Sequence, residues 1–255
     1  MNIEHISVSR RQTWDQCQLQ YKYKYHLKVL SPEPEPIYFA YGTTIHKIAE
    51  EYVQTKGART ITEIANDVVN GKILLKENSR CPNLPQAYKA KLPNHLRALK
   101  ALTDRVGFEG HLEWKFEYDL EPPNQKFILG FIDRLIPKGD KFFIIDYKTT
   151  KKGPWRKNSQ TIIDDLQLRC YARVVQKTFG AKANDIRCAL YYLDEKPELV
   201  SAKFSEDSLL RAEEEMHKAY DDIKKAKPEV WGNYGDHCTR CNYRSLCPVF
   251  NASFP

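Results

Sequence analysis

Asp133, Asp146 and Lys148 have the types and spacing that could do chemistry. Lys138-Gly139-Asp140-Lys141 reads as a hairpin with a two-residue loop, because Gly accepts positive φ and Asp tolerates it. With that loop Lys138 meets Lys141, Leu135 meets Ile144, and Asp133 meets Asp146. Directly opposed residues share a sheet face, with Cβ atoms ~4.5–5.5 Å apart. Lys148 lies two residues beyond Asp146 and points the same way. Leu129, Phe131, Ile132, Ile144 and Ile145 make the hairpin apolar, so two facing carboxylates there repel and resist desolvation. A divalent cation compensates them, and oxygen donors of this kind suit Mg²⁺ or Mn²⁺. A neighbouring ammonium can orient or help deprotonate a water and stabilise developing negative charge. The alternative is a surface hairpin with two solvated aspartates.

Cys238-x2-Cys241-x5-Cys247-Pro248 offers a second kind of chemistry. Its spacing is too irregular for a zinc ribbon, which shows two paired knuckles. Three thiols need a fourth ligand, and Cys17 is the natural choice; His237 or Cys81 could replace it. No secretory leader is expected from residues 1–28, and with seven cysteines that argues against a disulfide scaffold. Cys81, Cys170 and Cys188 read as small buried hydrophobes.

The elements that must position these groups follow from pattern. Ser9-Arg10-Arg11-Gln12 predicts a capping box and a helix over 10–27 carrying Trp14, Cys17, Tyr21 and Tyr25. The prolines at 32, 34 and 36 end it. Gly42-Thr43-Thr44 opens a second helix, with Ile45, Ile48, Ala49, Tyr52 and Val53 as its apolar stripe and His46 at the edge. Residues 61–106 read as a polar helical section. Strands follow over 112–120, 127–136 and 142–148, then a helix over 161–179, strands over 185–193 and 200–204, and a charged helix over 205–226.

The chain has 255 residues, 42% of them apolar, enough for one elaborated domain with a substantial core. Its expected parts are a helical region over 1–106, a central core over 107–204, and a last helix with the cysteine cluster over 205–255. Forty Lys and Arg against 33 Asp and Glu give a net charge of +7, which fits a polyanionic partner. No apolar run approaches the ~20 residues of a membrane span. A cytoplasmic protein is expected.

Gly130-Phe131-Ile132-Asp133-Arg134, followed thirteen residues on by Asp146-Tyr147-Lys148-Thr149-Thr150, resembles the PD-(D/E)XK nuclease superfamily, and more closely its RecB-type nuclease domains. Ile132 stands where the Pro of the signature would be. Gly42-x-x-x-His46 and Gln167-x-x-x-Tyr171 are similar to further elements of that group. A distant Cys with a C-terminal trio resembles its iron–sulfur members, among them CRISPR-adaptation nucleases, the AddB nuclease domain and the eukaryotic replication helicase–nuclease. The resemblance implies an α/β fold: a restriction-endonuclease-like core with a mixed central sheet flanked by helices, a helical N-terminal region, and an iron–sulfur C-terminal tail.

It also implies a Mg²⁺- or Mn²⁺-dependent deoxyribonuclease. His46, Asp133, Asp146 and the Tyr147 carbonyl would hold metal, with Lys148 as the catalytic cation. Gln167 and Tyr171 would line the cleft, and Glu113 is a weaker candidate that Glu117 could replace. Cys17, Cys238, Cys241 and Cys247 would bind a structural [4Fe–4S] cluster, or zinc. The expected activity is an exonuclease on single-stranded DNA or DNA ends. A structure-specific endonuclease and a non-catalytic binding module are the alternatives. The basic stretch around the catalytic strand (Arg134, Lys151, Lys152 and Arg156, with Trp155 as a stacking residue) is the expected DNA contact.

Overall fold

The computed structural model describes every residue except 2, 77, 78, 123, 124, 151, 152, 155, 254 and 255. The helices are α1 (Val8–Gln16), α2 (Gln18–Tyr21), α3 (Ile37–Gln54), α4 (Ile61–Val69), α5 (Gln86–Lys89), α6 (Leu92–Val106), α7 (Leu166–Phe179), α8 (Glu206–Lys225) and α9 (Pro248–Ser253). The strands are β1 (His5–Ile6), β2 (His111–Asp119), β3 (Phe127–Lys138), β4 (Lys141–Lys148), β5 (Ile186–Tyr192) and β6 (Glu198–Ala202).

These elements form two compact units, which interleave along the sequence. One comprises 1–36, 115–130 and 210–255, and the other comprises 37–114 and 131–209. The unit edges therefore do not follow the segment boundaries expected at 106 and 204. Strands β2 and β3 and helix α8 each contribute residues to both units.

In the second unit the order β3–β4–β5–β6 makes a mixed sheet: antiparallel, parallel, antiparallel. The β3–β4 register runs from Arg134↔Ile145 to Lys138↔Lys141, as the turn chemistry predicts. Helix α7 packs on β4 and β5. Helices α3, α4 and α6 share a core with Ile136, Ile145, Tyr147 and Tyr191 from the strands. Most of β4 is buried, which is why both parities of Phe142–Ile145 are apolar.

In the first unit β1 runs parallel to the start of β3 (His5↔Phe127, Ile6↔Ile128). Gly130 on β3 lies under the Phe116 ring of β2: a Cβ there would fall 2.7 Å from Phe116 Cε1 and closer still to Cζ. That contact explains a Gly three residues before Asp133.

Three sequence expectations change. Ser7, not Ser9, caps α1 by accepting the Arg10 amide at 3.2 Å, so Ser9 lies inside the helix. The helix expected over 10–27 is interrupted at Cys17, whose extended backbone (φ −160, ψ 110) separates α1 from α2 and a π-helical turn at Lys22–His26. Periodicity reports a shared face but not a one-residue break within it. Helix α3 begins at Ile37, so Gly42 is an interior residue and does not open the helix.

Candidate active site

His46, Glu113, Asp133, Asp146, Lys148, Gln167 and Tyr171 all belong to the second unit. Burial of Ile45, Ile48, Ala49 and Tyr52 presses α3 onto its core. His46, at the stripe's edge, then faces the strands. Its Nε2 lies 3.0 Å from the Tyr147 carbonyl oxygen. Its Nδ1 lies 3.4 Å from Asp133 Oδ1 and 3.8 Å from Glu113 Oε1. One ligand atom from each of His46, Glu113 and Asp133 falls within 4.8 Å of the other two.

Glu113 sits in the left-handed region at φ 43, within a strand. Non-glycine residues adopt that conformation at a cost and tend to do so where the fold needs a side chain re-aimed. The sequence singles out Glu113 only by analogy; its backbone and its distance to His46 single it out physically. The Tyr147 carbonyl, expected as a metal ligand, here faces the second nitrogen of His46.

Beyond the Arg134↔Ile145 rung, the Tyr147 amide donates to Asp133 Oδ2 at 2.7 Å, fixing that carboxylate against β4. Asp146 is 2% exposed, and its Oδ2 lies 2.6 Å from Lys148 Nζ as an ion pair, without an aligned hydrogen bond. Lys148 Nζ donates to Gln167 Oε1 at 3.4 Å, and Gln167 Nε2 donates to the Tyr171 hydroxyl at 2.7 Å. Gln167 and Tyr171 are one turn apart on α7, which Asp165 caps through the Leu168 amide. Asp165 also adds a favourable field at Lys148, a role that sequence reasoning missed although an Asp directly before an apolar helical run is a cap signal.

The electrostatics record the strain of gathering these charges. Burial would raise the Asp133 carboxyl, but His46, the Tyr147 amide and Lys148 outweigh it and hold the pKa below 3.8. Asp146 behaves oppositely: burial dominates, Asp133 adds repulsion, and despite Lys148 its pKa is pushed up to about 6. Burial lowers His46, yet the Asp133 and Glu113 carboxylates carry it well above 6.5. Burial likewise opposes the Lys148 ammonium, and Asp146 and Asp133 more than restore it. One nitrogen and several carboxylate oxygens, with one carboxyl forced toward neutrality, are a donor set that a hard divalent cation fits.

The family model for the PD-(D/E)XK nuclease superfamily matches residues 5–248. The chain belongs to this superfamily. Among solved structures, a "putative exonuclease" from Eubacterium rectale is similar at 13% identity and TM-score 0.51, over 99% of this chain and 89% of that one. At that identity the likeness speaks for the fold alone. The crystal structure of SSO0001 is similar at 16% identity and TM-score 0.41, over 90% of this chain and 94% of that one. None of the curated proteins matches the sequence.

Two of the expected DNA contacts need correction. Arg134 is 0% exposed; its guanidinium donates to the Gly107 and Glu109 carbonyls. The residue next to Asp133 on a strand necessarily points to the opposite face, here into the core. Arg156 is also buried: its side chain is 6% exposed, pairs with Asp194 at 3.4 Å and Glu198 at 3.2 Å, and stacks 4.2 Å over the Tyr192 ring. Its charge is spent within the fold. Lys151, Lys152 and Trp155 lie outside the described residues.

In the first unit, Cys17, Cys238, Cys241 and Cys247 line one cavity together with Leu19, Tyr23 and His237. The extended backbone at Cys17 turns its thiol out of the helical stripe. Burial, with the other three thiols nearby, raises the Cys241 pKa, and the Tyr243 amide donates to its sulfur at 3.5 Å. Cys81 belongs to the second unit, where its sulfur meets Thr44 Oγ1 at 3.3 Å. Among the described residues no helix is long and apolar enough to cross a membrane.

Proposed function

We propose that the chain is a divalent-metal-dependent deoxyribonuclease that hydrolyses phosphodiester bonds, acting as an exonuclease on single-stranded DNA or DNA ends. The observation that carries this reading is the gathering of His46, Glu113 and Asp133 within 4.8 Å, beside the Lys148–Asp146 pair at 2.6 Å. In this reading His46 Nδ1, Glu113, Asp133 and Asp146 hold the cation. A cation bound there supplies Lewis-acid polarisation of the phosphate and a water of lowered pKa.

The chain's own groups do the rest. The His46 Nε2–H donates to the Tyr147 carbonyl, which fixes the ring and leaves the Nδ1 lone pair for the ligand set. Lys148, held protonated by Asp146 and Asp133, neutralises charge that develops on the phosphate. Gln167 aims that ammonium, and Tyr171 holds Gln167.

In the same reading the first unit carries a structural [4Fe–4S] cluster on Cys17, Cys238, Cys241 and Cys247. The four thiols line one shared cavity, which supports a single group held by all of them.

The test is digestion of linear single-stranded, blunt duplex and covalently closed circular DNA in Mg²⁺ or Mn²⁺, with wild type and Lys148→Ala. Linear single strands should be degraded and circles spared, and Lys148→Ala should bind DNA without cutting it. Cleavage of circles overturns the exonuclease assignment, and full activity of Lys148→Ala overturns the site. Anaerobically purified protein should contain iron and sulfide and absorb near ~400 nm as thiolate-bound iron does; zinc without iron overturns the cluster.

A further inference from the structure

The aromatic residues of α3 divide sharply. Tyr41 and Tyr52 are 2% and 5% exposed, within the core of the second unit. Tyr38 and Phe39 are 44% and 54% exposed, with ring centroids 4.5 Å apart. Single exposed aromatics are ordinary on protein surfaces, but a paired, solvent-facing aromatic surface asks for a partner.

Helix geometry ties this pair to the metal site. Phe39 precedes His46 by seven residues, nearly two full turns: ~10 Å along the axis and about 20° around it. The two therefore share one face of α3. Between them lie Gly42 and Thr43. Thr43 folds its hydroxyl back onto the Phe39 carbonyl at 3.1 Å. Gly42 presents no side chain, and a Cβ there would stand 3.8 Å from Thr149 Oγ1, the residue after Lys148. The strip from the aromatic pair to His46 is thus low and runs beside the end of β4.

We propose that Tyr38 and Phe39 form a base-stacking platform for single-stranded nucleic acid whose scissile phosphate lies at His46. The inference rests on the nuclease reading and extends it to how a strand is chosen. A stacked strand advances ~3.4 Å per nucleotide, so ~10 Å places the stacked base roughly three nucleotides from the cleaved bond. Every base has a π-face, so the platform tolerates any sequence. Bases inside a duplex are already stacked and paired, so the platform favours single strands and frayed ends.

The probe is a set of single-stranded oligonucleotides with 2-aminopurine at successive distances from one end, bound to the full-length protein in EDTA so that nothing is cut. Wild type should quench the fluorophore most at one position, about three nucleotides from the terminal phosphodiester. The double variant Tyr38→Ala/Phe39→Ala should lose that quenching and bind single strands roughly tenfold or more weakly, the scale of one lost stacked base. In Mg²⁺ it should raise KM for single strands with little change in kcat. Tyr38→Ala/Phe39→Trp, which returns one aromatic ring to the double variant's background, should restore quenching, which a purely structural role would not do. Unchanged quenching and affinity in the double variant overturn the platform, as does an equal loss on single strands and blunt duplex. Localised quenching without cleavage in Mg²⁺ or Mn²⁺ overturns the nuclease reading and leaves the platform standing. Cleavage that is indifferent to the double variant does the reverse.

Discussion

Asp146→Asn in the metal-free protein isolates the electrostatic cost of the site. The folded Asp146 carboxyl titrates at about 6, against 3.8 for the ordinary side chain. Between those values the folded state keeps a proton that the unfolded state has lost. Folding therefore becomes less favourable as pH rises, by about 1.4 kcal/mol per unit. Over the full interval the wild type should lose about 3 kcal/mol relative to Asn, which never ionises. For a chain of this size that is a relative shift in Tm of roughly 6–12 °C. The assay is thermal melting of both proteins in EDTA from pH 4 to pH 8. The variant's Tm relative to wild type should climb through pH 6 and then level off. Adding Mg²⁺ or Mn²⁺ at pH 7.5 should reverse the order, because the cation stabilises the wild-type carboxylate and finds a weaker ligand in Asn. A pH-independent Tm difference in EDTA would refute the reasoning that burial and Asp133 raise this carboxyl.

Other outcomes follow from the same structure. Glu113→Gln removes a charge that lies 3.8 Å from His46 Nδ1, and it should weaken Mn²⁺ binding at least tenfold by calorimetry while preserving the circular dichroism spectrum. Unaltered Mn²⁺ affinity would remove Glu113 from the ligand set. Gly130→Ala forces the buried Phe116 ring to move and should cost roughly 1–3 kcal/mol in urea unfolding; a neutral result would mean that the ring yields freely. Thr60→Ala breaks the capping box in which Thr60 accepts the Glu63 amide and Glu63 accepts the Thr60 amide, and should cost about 1 kcal/mol with no effect on cleavage.

The hairpin was legible in the sequence because its information is local. Gly139-Asp140 sets a two-residue turn, the turn sets the register, and strand parity then assigns every side chain from Leu135 to Ile144 to a face. The stripe of α3 and the extent of α8 were readable for the same reason, whereas α7 starts at Leu166 behind its Asp165 cap, five residues after the expected start at 161. What the sequence could not express was the part played by partners distant along the chain. Arg134 and Arg156 look like surface cations beside a catalytic strand until the fold surrounds them with the carbonyls of 107 and 109, the carboxylates of 194 and 198, and the Tyr192 ring. Glu113 shows its turned backbone only once β2 is built. Cys17 leaves its helical stripe through a single extended residue that no periodicity records. Short-range rules determine which atoms can share a face. Long-range packing decides which charges are buried, which are already paired, and which remain for a cation and a phosphate.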